Sequence, residues 1–77
     1  MQITLRLYGN LRKYAADKRD RTVIEITEGM TIQALLLALG VPDNGWWMAA
    51  LNDTVVEPET TLHDGDLLEV FDPVGGG

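Results

Sequence analysis

The residues best suited to chemistry are the last six of the chain, Asp72 to Gly77, which read Asp-Pro-Val-Gly-Gly-Gly. Glycine has no Cβ atom, so a run of glycines can enter a slot that any other residue would block. The group we expect to react is the α-carboxylate of Gly77, since nothing else in this segment is both reactive and free to move into a partner. The alternative is a frayed tail without a role, because chain termini are usually mobile.

Composition restricts the other kinds of chemistry. The chain has no cysteine, which excludes a disulfide framework, a thiolate metal site and a cysteine nucleophile. Its formal net charge of −6 argues against nucleic-acid binding, because phosphate contacts need clustered Lys and Arg side chains. The single histidine, His63, has no metal-type neighbours in sequence and is expected in a turn. We therefore expect no metal site.

Two features bear on location. No signal-peptide pattern opens the sequence, and the longest apolar stretch, residues 34–39, is far too short to span a bilayer. We expect a cytoplasmic protein that does not act at a membrane. Its acidic surface favours a basic partner surface.

Alternating apolar and polar side chains predict five strands. These are residues 2–8, 22–27, 46–51, 54–56 and 67–71. One helix is predicted between the second and third strands, with Thr31 as its N-cap and Gly40 just past its end. Its apolar face is formed by residues at helical spacing, namely Ile32, Leu35, Leu36 and Leu39. Residues 11–16 are expected to form a short helix or turn.

This order of elements predicts an α+β domain in which a mixed sheet packs on one main helix. The first and last strands are candidates for the centre of the sheet, and as neighbours they would run parallel. The arrangement is that of the ubiquitin-like β-grasp roll. Residues 1–71 are predicted to form the domain and residues 72–77 a flexible, glycine-rich tail.

The last strand also suggests a binding surface. Leu67 and Phe71 are out of phase with the inward-facing Leu68 and Val70, and Pro73 and Val74 continue the chain towards the glycines. An exposed apolar strip of this kind would suit a partner interface. The alternative is that the chain's own loops cover these side chains. Of the adjacent Trp46 and Trp47, one is expected in the core and the other exposed, because neighbouring strand residues face opposite sides.

Three segments resemble a known family of proteins. They are Ile3 to Arg12, Thr31 to Gly40, and a closing signature made of Leu62 to Asp66 and Pro73 to Gly77. Together they are similar to the small, sulfur-carrying subunit of molybdopterin synthase. The sulfur carriers of the thiamine pathway share the fold and the terminal glycines but match less well. The chain departs from the pattern in having Asp72 where the family usually has a proline, and in ending with three glycines.

The resemblance implies a carrier that is not itself an enzyme and binds no cofactor. In such carriers, an adenylating enzyme of the ubiquitin-activating type uses MgATP to form an acyl-adenylate on the terminal glycine. A persulfide donor then supplies sulfur to give a thiocarboxylate. The large subunit of molybdopterin synthase receives the tail, and the sulfur passes to a pterin precursor. By this resemblance Gly77 would carry the thiocarboxylate, while Gly75 and Gly76 would line the narrow approach.

Three other functions remain open. The chain could be a ubiquitin-like modifier that is joined to lysines through Gly77. It could carry sulfur for thiamine, cysteine or another thio-metabolite. It could also be a ubiquitin-like binding module whose glycines are passive.

Overall fold

The structure is a computed structural model that describes residues 1–14, 21–41 and 47–71. These residues form a five-stranded sheet, one α-helix and one 3₁₀ helix. In chain order the elements are β1 (Gln2–Leu7), the 3₁₀ helix (Gly9–Tyr14), β2 (Thr22–Glu25), α1 (Ile32–Ala38), β3 (Met48–Leu51), β4 (Thr54–Val56) and β5 (Leu67–Phe71).

The first and last strands lie side by side within the sheet, whose order is β2-β1-β5-β3-β4. They run parallel, with Leu5 opposite Leu68 and Leu7 opposite Val70, while every other strand pair is antiparallel. A parallel pair needs a long crossover connection, and the segment that contains α1 provides it. The predicted mixed sheet and β-grasp topology are confirmed.

The core lies between one face of this sheet and the helix, because alternation along β1 and β5 places their apolar residues on the same side. Leu68 and Val70 are completely buried, as is Leu62 from the connector before β5. The buried cluster consists of Ile3, Leu5, Leu7, Leu11, Ile26, Ile32, Leu35, Leu36, Val41, Ala49, Leu62, Leu68 and Val70.

Both ends of α1 follow from local sequence. The Thr31 hydroxyl accepts a hydrogen bond from the Ala34 amide at 3.2 Å, which caps the first turn. At the other end Gly40 has φ +93°, and its amide donates to the Leu37 carbonyl while that of Val41 donates to the Leu36 carbonyl. This is a Schellman motif, which a glycine at that position favours. The predictions for the N-cap of α1, for its C-terminal end and for its buried face are confirmed.

A tight turn at Asn52 and Asp53 fixes the start of β5. Both residues have positive φ, as a two-residue hairpin turn between β3 and β4 requires. The Asn52 side chain accepts a hydrogen bond from the Leu67 amide at 2.9 Å and donates one to the Asp66 carboxylate at 3.0 Å. The turn therefore joins the β3–β4 hairpin to the first residue of β5.

Three predicted strand boundaries were wrong. Strand β1 ends at Leu7 because Gly9 turns the chain with φ +62°, although the Tyr8 amide still donates to the Val70 carbonyl at 3.0 Å. Strand β3 begins at Met48, and Trp47 before it is half-buried against the core. Strand β2 ends at Glu25, two residues earlier than predicted.

Several sequence predictions lie outside the described residues. They fall on residues 15–20, which include the end of the short helix or turn predicted for 11–16, on residues 42–46, which include Trp46, and on residues 72–77, the predicted tail. Across the described ranges, none of the helices is long and apolar enough to cross a membrane.

Candidate functional site

The candidate site is the sheet face that points away from the helix, on the central part of the sheet. We call it the outer face and define it by six residues, five that point outward from the three adjacent strands β1, β5 and β3, and Tyr8, which directly follows β1. These are Arg6 and Tyr8; Leu67, Glu69 and Phe71; and Met48.

The apolar part of the outer face lies where β5 ends. Phe71 is 37% exposed and stands opposite Met48, which is 46% exposed, on the neighbouring strand. Leu67, at the other end of β5, is half-buried. Large apolar side chains left open to solvent at the end of the last strand form a surface that a protein partner can cover.

A polar cluster lies beside this apolar surface. The Tyr8 hydroxyl donates a hydrogen bond to Glu69 Oε2 at 2.6 Å, and the guanidinium of Arg6 lies 3.6 Å from the same oxygen. Arg6 and Glu69 are direct partners in the β1–β5 register. The polar cluster therefore stands at the middle of the sheet.

Tyr8 connects the polar and apolar parts. Its ring stacks on that of Phe71 with the centroids 4.7 Å apart and the planes 12° from parallel, and Arg6 lies 5.2 Å from its centroid. The hydrogen bond to Glu69 raises the pKa of Tyr8 above its ordinary 10.0, and burial and the charge of Glu69 raise it further. The charges of Arg6 and Arg21 act in the opposite direction. The hydroxyl is therefore a donor at neutral pH.

The structure places some of the predicted site residues and not others. Leu67 and Phe71 lie on the outer face of β5, as the alternation predicted. The remaining predicted residues, Pro73, Val74, Gly75, Gly76 and Gly77, fall outside the described residues. Phe71 is the last described residue, so the outer face ends where the predicted tail begins. The roles proposed for Gly77 and its neighbours stay predictions.

Sequence reasoning missed Arg6, Tyr8 and Glu69 as site residues. All three occupy outward positions in the alternation, and that pattern was the available signal. The alternation does not contain the register between β1 and β5. That register places Arg6 opposite Glu69 and lets the Tyr8 ring contact Phe71.

This arrangement is suited to binding. Over the part of the chain that the structure describes, no group of three or more His, Cys, Asp or Glu side chains could hold a metal ion. The Tyr8 hydroxyl and Glu69 Oε2 bond to each other, Arg6 lies beside the same oxygen, and the Tyr8 ring stacks on Phe71, so these groups already have partners within the fold. The outer face therefore presents a surface with an apolar margin and a charged centre.

Comparisons with known proteins agree on the fold and identify the family. SAMP1 from Haloferax volcanii is 21% identical over all of both chains, with a TM-score of 0.73. A putative molybdopterin converting factor subunit 1 from Pyrococcus furiosus is also 21% identical with a TM-score of 0.73, over 95% of this chain and 98% of its own. Subunit 1 of the molybdopterin-converting factor of Helicobacter pylori, solved in complex with subunit 2, has a TM-score of 0.63 and 25% identity over all of both chains.

The sequence comparisons identify a family, whereas the structural comparisons identify a fold. No curated protein matches this sequence. The model of the ThiS family matches residues 5–77, which include the second half of β1, the helix α1, the last strand β5 and the terminal glycines. Because this match covers nearly the whole sequence, the chain belongs to the ThiS family.

Proposed function

We propose that this protein is a sulfur carrier for molybdopterin biosynthesis, whose Gly77 α-carboxylate is converted to a thiocarboxylate. The observation that carries the proposal is the family match, which extends through the β-grasp domain to Gly77. The similarity to two molybdopterin converting factor subunits supports the choice of pathway.

The chemistry begins with activation, because a carboxylate is a poor electrophile until one oxygen becomes a good leaving group. In an adenylating partner, the Gly77 carboxylate attacks the α-phosphorus of MgATP and displaces pyrophosphate. A persulfide sulfur then attacks the acyl carbon and displaces AMP, which leaves an acyl disulfide. A thiol cleaves that disulfide, so the thiocarboxylate stays on Gly77 and the donor and thiol are oxidised to a disulfide. The partners provide the catalytic groups, and this chain provides the carboxylate.

The body of the carrier would remain outside the partner while the tail reaches in. Six residues from Asp72 to Gly77 span about 20 Å when extended, at about 3.3–3.6 Å per residue. The partner must offset the entropy of ordering such a segment with contacts along its length. Gly75 and Gly76 let the backbone pass a narrow approach. The exposed ring of Phe71 lies at the start of this segment, where the outer face would meet the rim of the partner.

The proposed partners are the adenylating enzyme, a persulfide donor and the large subunit of molybdopterin synthase. For the large subunit, support comes from the Helicobacter pylori protein, which is similar to this chain over its whole length and was solved in complex with subunit 2 of the same factor.

A second function is favoured by a specific observation. SAMP1 of Haloferax volcanii, one of the similar structures described above, is a small archaeal modifier protein. A protein modifier needs the same acyl-adenylate on Gly77, but a lysine amine becomes the final acceptor and an isopeptide bond forms. The two functions therefore differ in the acceptor, and an experiment must identify it.

The test is intact mass spectrometry of the protein purified from its native cells, beside a variant that lacks Gly77. The carrier function predicts a mass gain equal to the replacement of one oxygen by sulfur, located at the C-terminus and absent from the variant. The same spectra report whether Gly77 is the last residue of the mature protein.

Other spectra would contradict the proposal. An unmodified C-terminus together with lysine adducts on other proteins would establish the modifier. An unmodified C-terminus without adducts would leave a ubiquitin-like binding module. A separate assay distinguishes the two sulfur pathways. Loss of molybdopterin synthesis in cells whose carrier lacks Gly77 would indicate a molybdopterin carrier and not one that serves thiamine.

A further inference from the structure

The outer face has a charged centre that a simple apolar interface would not contain. Arg6 and Glu69 face each other on the two adjacent central strands, with Phe71 and Met48 exposed nearby. Burying a charged group is costly unless it is paired and hydrogen-bonded. When a partner covers this face, both charges must therefore be paired and hydrogen-bonded, either within the protein or by the partner.

One carboxylate oxygen of Glu69 already has two partners within the protein. Its Oε2 atom accepts the Tyr8 hydroxyl hydrogen bond at 2.6 Å and lies 3.6 Å from Arg6, and its side chain is only 14% exposed. A partner that covers Glu69 therefore removes little water from it.

Arg6 is not satisfied to the same degree. A guanidinium has five N–H donors and no acceptor. The Arg6 Nε atom is buried without a hydrogen-bond partner, and the 3.6 Å contact to Glu69 is longer than a good hydrogen bond. The side chain is 31% exposed, so water can reach its remaining donors only while the face is open. Covering the face would leave those donors unpaired unless the partner brings an acceptor.

We propose that Arg6 is the specificity determinant of the outer face, and that it selects a protein partner with a carboxylate set in an apolar contact surface. A carboxylate can accept two parallel N–H bonds from a guanidinium, so it fixes the orientation of the partner as well as its affinity. The net charge of −6 restricts where the partner's carboxylate can lie, because the rest of the carrier repels an acidic group that is not opposite Arg6.

This inference rests on the proposed function, because it takes the adenylating enzyme as the partner that covers the outer face. The experiment measures ATP–pyrophosphate exchange by the purified adenylating enzyme from the same organism, with the full-length carrier as the varied substrate. Arg6→Met keeps most of the side-chain volume and removes every donor. Arg6→Lys keeps the positive charge but lacks the planar guanidinium that can donate two parallel hydrogen bonds. Arg12→Met, on the 3₁₀ helix, removes one charge elsewhere and controls for steering by net charge.

We expect Arg6→Met to raise the KM for the carrier by about tenfold or more, with kcat within about twofold of wild type. This pattern arises because Gly77 chemistry is intact once the complex has formed. The KM of Arg6→Lys should fall between those of wild type and Arg6→Met and should depend more strongly on salt. The KM of Arg12→Met should resemble that of wild type. Thermal unfolding of each variant shows that it is folded at the assay temperature.

Two results would overturn the role of Arg6 while leaving the proposed function standing. One is a KM for Arg6→Met equal to or below that of wild type, which is expected if the partner surface is wholly apolar. The other is a fall in kcat without a change in KM. If the wild-type carrier supports no exchange at all, the proposed function fails and the role of Arg6 fails with it.

Discussion

At the scale of single residues, Tyr8 joins the outer face to the end of the last strand. Its ring stacks on Phe71, its hydroxyl donates to Glu69, and its amide donates to the Val70 carbonyl. All three contacts go to consecutive residues of β5. Tyr8 therefore holds the last strand in place at the point where the predicted tail begins.

The raised pKa of Tyr8 predicts how stability changes at alkaline pH. The hydrogen bond to Glu69 is its largest cause. A group whose pKa is higher in the folded state stabilises the fold fully below its unfolded pKa, and this contribution is lost as pH rises through the folded pKa. We expect wild type to lose stability more steeply than Tyr8→Phe above about pH 10. Urea unfolding of both proteins between about pH 8 and pH 11 measures the difference.

The control for this prediction is Glu69→Gln, which removes the carboxylate but keeps an acceptor of the same shape. It should bring the pKa of Tyr8 closer to 10.0 and weaken the alkaline loss of stability. The phenolate absorbance of wild type minus that of Tyr8→Phe reports this ionisation directly. Parallel alkaline profiles for wild type and Tyr8→Phe would show that the hydrogen bond is not retained in solution.

At this scale the sequence predicted which way side chains point but not what they contact. Alternation placed Phe71 outward and Leu68 inward because the side-chain period of a strand is two. The hydrogen bond of Tyr8 to Glu69 joins residues 61 positions apart, and it depends on the register of two strands that meet only in the fold. No local pattern contains that register.

At the scale of elements, α1 shows how a short helix is bounded. It has only seven residues, so its stability comes from its caps and its buried face. Its end depends on Gly40, whose φ of +93° is a conformation that residues with a Cβ atom rarely adopt.

We expect Gly40→Ala to lower the free energy of unfolding by about 1–2 kcal/mol, the cost of a left-handed conformation for an L-residue. Space is not the reason, because a Cβ at Gly40 would lie 3.9 Å from the Tyr14 ring, an ordinary contact. Gly40→Asn is the matched control and should lose less, since asparagine tolerates positive φ. Urea unfolding measures both variants, and equal losses would mean that strain at this position is unimportant.

Helix and strand boundaries were predictable to different degrees for a physical reason. The caps of α1 use residues within a few positions of each end, so Thr31 and Gly40 were enough to locate it. Strand ends depend on partners far along the chain. The pairing of β3 with β5 begins at Met48 opposite Phe71, so the apolar pattern that continued back to Trp46 overestimated the strand.

At the scale of the whole molecule, the sheet has two unlike faces. One is filled by the helix and the buried cluster. The other combines an exposed apolar margin with the Arg6–Glu69 pair and leads directly to the end of β5. The β-grasp fold was predictable because alternation, the helix and the crossover rule all indicate one topology. The final sulfur acceptor of the proposed carrier was not predictable, because in that proposal a partner protein determines it.

The two faces predict the side on which the proposed adenylating partner would dock. We expect Phe71→Ala to raise the KM for the carrier in ATP–pyrophosphate exchange by about tenfold, since aromatic anchors dominate interface energies. The matched control is Leu37→Ala on α1. Leu37 is 49% exposed, more than the 37% of Phe71, but it belongs to the helix that covers the opposite face of the sheet. Its KM should stay within about twofold of wild type.

The comparison is informative because both substitutions shorten an exposed apolar side chain, so a general loss of surface hydrophobicity would affect them alike. Phe71→Ala also removes the stack on Tyr8, worth about 0.5–1.5 kcal/mol, so thermal unfolding must show that the variant is folded at the assay temperature. A larger effect of Leu37→Ala would place the partner on the helix side. The tail would then have to pass around the sheet edge, and the outer face would have no part in docking.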